Sequence, residues 1–170
     1  MTADPYWLDS EPDDFPGVVI KKFKLRMEAQ WGDNVNVELR PILPSDQNFS
    51  IGIVDDGWRP DPTSYEMGRP DQTRQATIQR YPLTIQSLVR DSDKEIGLRN
   101  HSVLSSKIRR LLADDLLLRL SLADVSVTVG TDTKVLFRWY VDSTDNLSGQ
   151  VGTELMFLSE NHVVLEVRKV

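Results

Sequence analysis

Between residues 75 and 115 the hydrophobic period changes from two to nearly four, which limits the chain to a sheet with a helix laid against it. Tyr81, Leu83, Ile85, Ser87 and Val89 alternate with a face that stays mainly polar until Leu88, the pattern of a long half-buried strand. Pro82 lies inside that run and removes one ladder donor, so the strand is expected at a sheet edge or to carry a bulge. After a short acidic turn, Leu104, Ile108, Leu111 and Leu112 recur at helical spacing, while Arg99, Lys107, Arg109 and Arg110 fall largely elsewhere. Residues 97–113 therefore read as an amphipathic helix with one packing face and one positively charged face.

Upstream, Asp13 and Asp14 precede Pro16, and Phe15, Val19, Phe23, Met27 and Trp31 recur every four residues until Gly32. This predicts a helix over 14–31 lying on the sheet. Val35, Val37 and Leu39, and then Phe49, Ile51 and Ile53, alternate with polar or small residues and give two half-buried strands separated by Pro41 and Pro44. Residues 55–74 lose all periodicity and are punctuated by Gly57, Pro60, Pro62, Gly68 and Pro70, as in a long functional or mobile connection. Within it Trp58 and Tyr65 are either aromatic contacts for a partner or local anchors.

Leu116 to Leu122 is a leucine-dense stretch that reads as a second short helix or a buried turn. From 125 onward strands dominate. Val125, Val127 and Val129 lead through Gly130-Thr131-Asp132 into Val135, Phe137, Trp139 and Val141. A polar loop is expected over 142–150, and Glu160-Asn161 is expected to separate Leu155 and Phe157 from a last strand with Val163, Leu165 and Val167. The sum is one α+β domain over 1–170, an antiparallel twisted sheet with two principal helices packed on it and closing hairpins over 125–170.

A chain of 170 residues with 39% hydrophobic and 27% charged residues suits a single packed core. Its net charge of -6 argues against general binding to phosphate backbones, so no sequence-specific nucleic-acid contact is expected. There is no cysteine, which removes disulfides, thiolate nucleophiles and cysteine-based metal sites. The first five residues are acidic rather than basic, and no apolar run approaches the roughly 20 residues that span a bilayer, so no membrane association is expected.

Catalytic signals are sparse. His101 shares a helix side with Leu104 and Ile108 and reads as a partly buried, hydrogen-bonded residue, while His162 reads as an exposed turn residue. There is no glycine-rich phosphate loop and no serine elbow. The pairs Asp13-Asp14, Asp55-Asp56 and Asp114-Asp115 could offer oxygen ligands to a divalent cation, but two of them stand where helix ends belong. Pro60-Asp61 with Glu166-Val167-Arg168 approaches a metal-nuclease pattern, except that arginine replaces the lysine and cannot shuttle protons. No catalytic residue, cofactor or metal ligand is assigned, and the chain is expected not to be an enzyme.

A long strand, a short acidic turn, then Gly97-Leu98-Arg99-x-His101-Ser102-x-Leu104 and Ile108-Arg109-x-Leu111-x-x-Asp114, resembles the tail terminator proteins of long-tailed bacteriophages. The initial helix and the closing Leu155-Met156-Phe157-Leu158-Ser159-Glu160 run are similar to that family's order of elements from about Pro16 onward. The resemblance implies a homo-oligomeric ring, typically a hexamer, that caps the tail tube, ends its polymerisation and presents the surface to which the head attaches. It implies as partners further copies of itself, the tail tube protein and head-to-tail connector proteins, with DNA only passing through the lumen. It places the chain at the head–tail junction of the virion after assembly in the host cytoplasm. A head-to-tail connector, stopper or other virion adaptor is the neighbouring alternative, and a metal-dependent nuclease the distant one. A closed ring needs one surface to meet a different one on the next copy. Arg99, Lys107, Arg109 and Arg110 are expected to face the acidic residues Asp55, Asp56 and Asp61 of a neighbouring copy, with Trp58, Arg59 and Tyr65 of the same connection as further interface residues, unless that helix face is simply solvated.

Overall fold

The computed structural model describes residues 14–57, 59–60, 78–123 and 125–170. The chain is α+β, with helices gathered on one face of a mixed sheet. Helix α1 (Phe15–Trp31) starts as its composition demands: the Asp14 carboxylate accepts a hydrogen bond from the Gly17 amide at 3.1 Å, and Pro16 occupies the first turn. Phe15, Val19, Phe23 and Met27 are buried, and Gly32, at φ 55°, ends the helix.

Strand β1 (Asn36–Glu38) runs parallel to β2 (Phe49–Asp55), so the sheet is not the purely antiparallel meander expected from the alternation. The intervening segment carries the chain back across the sheet face that bears no helix. Arg40 closes it with a two-pronged bond to Asp46, and the Ile42 amide donates to the Gln86 side chain at 3.0 Å. Gly52 permits the crossing, since a Cβ there would stand 2.5 Å from the Arg40 carbonyl oxygen.

The strand order is β1-β2-β4-β7-β6-β5, with β4 (Ile78–Asp91), β5 (Ser126–Val129), β6 (Asp132–Val151) and β7 (Glu154–Lys169). The two-residue β3 (Arg59–Pro60) pairs with β4 beyond the end of β2 and continues its lane. β4 is thus an interior strand, contrary to the edge position expected from Pro82. Pro82 is tolerated because its carbonyl accepts from the Asp56 amide where that lane breaks between β2 and β3, so its missing donor falls at the break.

Residues 142–150 form no loop. They continue β6 opposite β7, from Ser143↔His162 to Gln150↔Leu155, with Gly152 at positive φ in the tight turn that follows. Their polarity reflects a strand that no neighbour covers on its outer side among the described residues, not a break in it. Glu160 and Asn161 likewise lie within a continuous β7: Glu160 accepts from Gln86 at 2.8 Å, and Asn161 is buried beside Thr144. The last 45 residues therefore hold the short β5–β6 hairpin expected across Gly130-Thr131-Asp132 and, in place of the closing hairpin expected to turn at Glu160-Asn161, one long β6–β7 hairpin.

Helix α2 (Lys94–Asp114) is capped by Asp93, whose carboxylate accepts from the Glu95 and Ile96 amides. Helix α3 (Leu116–Leu122) follows after one residue, Asp115, which accepts from the Leu118 amide at 2.6 Å and binds the Arg26 guanidinium at 2.9 and 2.6 Å. The core lies between the helices and the odd-numbered residues of β4 and β7, with Phe23 edge-on to Trp139 at 5.6 Å.

Candidate interaction surface

Helix α2 sits on a seam of small residues. Gly97 meets the ring of Phe157, and Ser87, Ser159 and Ser105 form a buried hydrogen-bonded chain at 2.5 and 2.9 Å that ends 3.5 Å from His101. The seam lets the helix approach the sheet closely and leaves its far side to water. Burial pushes the His101 imidazole below its ordinary range and the charge of Arg109 adds to this, against an opposing hydrogen bond with the Leu158 backbone. As the spacing suggested, His101 is half-buried and packs 6.0 Å from Phe157.

Arg99, Lys107, Arg109 and Arg110 are all exposed, and none has an ion-pair partner among the described residues. At 100° per residue they spread over much of the outer half of the helix rather than forming one stripe. Arg109 lies on the flank beside β6, where it lines a groove of about 320 Å³ with Asn146 and Ser148.

The acidic counterpart is only partly described. Asp55 and Asp56 are exposed at the end of β2, and one oxygen of each is engaged locally: Asp55 accepts from the Gly57 amide at 2.8 Å and Asp56 from the Thr84 hydroxyl at 2.6 Å. The backbone of Arg59 pairs with Arg80. Trp58, Asp61 and Tyr65 lie outside the described residues. Among the described residues no ion pair joins the two sets.

The helix-free face of the sheet carries a row of polar groups that periodicity did not reveal. Glu166, almost fully buried, is held between Arg80 at 3.3 Å and Arg138. Four residues back along β7, His162 links Thr84 through Nδ1 at 3.2 Å to Asp145 through Nε2 at 3.2 Å. His162 is therefore no turn residue but a tie across three strands. The signal that could have placed it was the alternation of Val163, Leu165 and Val167, which puts 162, 164 and 166 on the opposite face.

Glu166 is clamped by two guanidinium groups: Arg138 donates to its Oε2, while its Oε1 lies 3.3 Å from Arg80 Nε without a hydrogen bond, and Asp61, its partner in the nuclease-like pattern, lies outside the described residues. Among the described residues no group of three or more His, Cys, Asp or Glu is placed to hold a metal ion. The Thr84 hydroxyl already donates to Asp56 and so does not offer its proton to His162, which leaves a structural bridge rather than an activated nucleophile.

Four grooves of about 640, 280, 320 and 740 Å³ open on the two faces of the sheet, and β6 lines part of every one of them. β5 pairs only with residues 132–135, so from 137 to 151 no strand meets the outer side of β6 among the described residues. Phe137, Val141, Leu147 and Val151 are exposed along this strand, and Leu116, Leu117 and Leu120 on α3 are more than 60% exposed. The leucine stretch is thus half core, through Leu118 and Leu122, and half apolar surface. No helix among the described residues is long and apolar enough to cross a membrane.

No protein-family model matches this chain, and no curated protein matches it by sequence.

Proposed function

We propose that this protein is a structural component of a phage virion, a ring-forming subunit that caps the tail tube, ends its polymerisation and offers the head its attachment surface. The observation that carries the reading is helix α2: it follows a long central strand and an acidic turn, carries the Gly97 to Asp114 pattern, and directs outward four cations with no ion-pair partner among the described residues. The outer side of β6, which no strand meets over 137–151 among the described residues, and the exposed apolar residues on it and on α3 support the same reading, because a subunit of a closed assembly keeps contact surface that it cannot satisfy alone. Its partners are further copies of the chain, the tube protein and the connector proteins, and DNA crosses the lumen without being read.

Purified protein mixed with tail tubes grown in its absence provides the test. Rings at one tube end, with growth halted, are expected under negative stain. Bare tubes that keep growing would exclude a terminator, and normal tails without heads in its absence would identify a head-to-tail connector instead. Reversing charge with Arg109→Glu and Arg110→Glu is expected to weaken association between copies while leaving the circular dichroism spectrum unchanged. Unaltered assembly would remove that helix face from the contact.

A further inference from the structure

We infer that copies of this chain join head to tail through α3, whose exposed leucines seat in an apolar groove on the helix-free sheet face of the next copy. The inference rests on the ring reading and supplies it with a contact. Helix α3 turns Leu118 and Leu122 into the core and leaves Leu116, Leu117 and Leu120 exposed by 66, 61 and 62%. Large apolar side chains bared together on one short helix form a patch of the kind that marks a protein contact.

The helix-free face holds the counterpart. A groove of about 280 Å³ lies where the segment between β1 and β2 crosses the sheet beside the β6–β7 hairpin, lined by Ile42, Leu43, Leu88, Leu147, Met156 and Leu158. It falls just below the roughly 300 Å³ at which small-molecule sites begin, and its lining suits aliphatic side chains. Leu43 and Leu147 in that lining are 48 and 56% exposed.

Charge selects a second copy as the occupant. Asp145 and Glu160, directly paired across β6 and β7, hold the neighbouring same-face positions to Leu147 and Leu158. The His162 ring lies 3.2 Å from the first and 3.9 Å from the second, so two carboxylates face one imidazole. Toward the hairpin turn, Arg90 and Glu154 offset each other at 3.1 Å. The groove therefore has an acidic margin at the end nearer His162. The margin of the patch has the opposite sign: Arg119 reaches from α3 back to the Ala113 carbonyl, and Lys107, Arg109 and Arg110 lie near the end of α2. Asp114 stands against these, while Asp115 is taken up by Arg26. An apolar patch with a basic margin thus matches an apolar groove with an acidic one. Patch and groove lie on opposite faces of the sheet, so a chain cannot seat its own α3, and each added copy presents a new groove. That is the heterologous contact a closed ring requires.

Two double variants test the contact. Leu117→Asp with Leu120→Asp spoils the patch and keeps the groove, whereas Leu43→Asp with Leu147→Asp spoils the groove and keeps the patch. These side chains are exposed, so both variants should retain the native circular dichroism spectrum. In sedimentation velocity the native chain is expected as an assembly larger than a dimer and each variant alone as a monomer. Their equimolar mixture should give one-to-one pairs and nothing larger, because one intact patch meets one intact groove and growth then stops. Adding Arg110→Glu to the groove variant should weaken that pairing severalfold. Variants that assemble like the native chain, a mixture that stays monomeric, or a native chain no larger than a dimer would each overturn the inference. The ring reading fails separately: mixed pairs alongside native assemblies that lengthen without a fixed size would leave this contact standing and exclude a closed ring. Tube-capping rings formed by the patch variant alone would exclude this contact and leave the ring.

Discussion

Gly97 shows how a single residue sets the distance between layers. A Cβ on it would stand 2.5 Å from Phe157 Cε2 and 3.2 Å from the Asp91 Cβ, so the ring and the strand behind it would both have to give. Alanine is intrinsically better in a helix by about 1 kcal/mol, but forcing a methyl into a closed seam costs about 1–3 kcal/mol, and the packing term should win. Gly97→Ala is therefore expected to lower the midpoint of urea unfolding, and the double variant with Phe157→Leu to recover part of the loss. Gly97 was legible as one letter of a pattern, yet its packing role was not, because the partner ring comes from a strand sixty residues away. Leu104, Ile108 and Leu111 of the same pattern are core residues, which leaves Arg99 and Arg109 as its outward-facing part.

At the scale of elements, Asp115 joins three helices. It ends α2, caps α3 and anchors α1 through Arg26, with both side chains more than four-fifths covered. The Arg26 hydrogen bonds hold its carboxyl below the usual range. Asp115→Ala should destabilise the protein by about 1–3 kcal/mol in denaturant titrations, and Arg26→Ala should cost less, since it leaves the cap in place. Helices were the readable part of the chain, because α1 and α2 each bury a stripe that recurs within one segment. Strands were readable where one face is covered, as in β2 and β4. The outer half of β6 failed that condition: with helix α2 only flanking it and no strand beyond it among the described residues, residues 142–150 had no buried face to make them alternate. The parallel pairing of β1 was equally hidden, because it depends on Gly52 admitting the Arg40 carbonyl rather than on anything in β1 itself.

For the whole molecule, titration gives a directional expectation. His101 is held below its ordinary value of 6.5, so as acidity rises the unfolded chain takes up that proton first. Its contribution is complete above about pH 6.5 and is lost as pH falls through the lower folded value. Asp46, through its bonds from Arg40, and Asp115, through Arg26, are held below 3.8, so they contribute above that value and are lost as pH falls through their folded values. Unfolding midpoints measured from neutral to acid pH should therefore decline in two stages, and His101→Gln should flatten the first while leaving the second.

The position of β7 bears on how the protein is made. It is the last of the seven strands to be synthesised, yet it pairs along its whole length with β4 on one side and β6 on the other. While the ribosome is still translating it, β4 already exists with its long inner margin bare, and more than sixty residues separate the two. The β6–β7 hairpin, joined by a two-residue turn, can form first and then close onto β4 as a unit. Closure across so long a loop is slow compared with helix formation, so α1 and α2 should be in place before the sheet has a centre, and a nascent chain held short of β7 should be the form that chaperones meet.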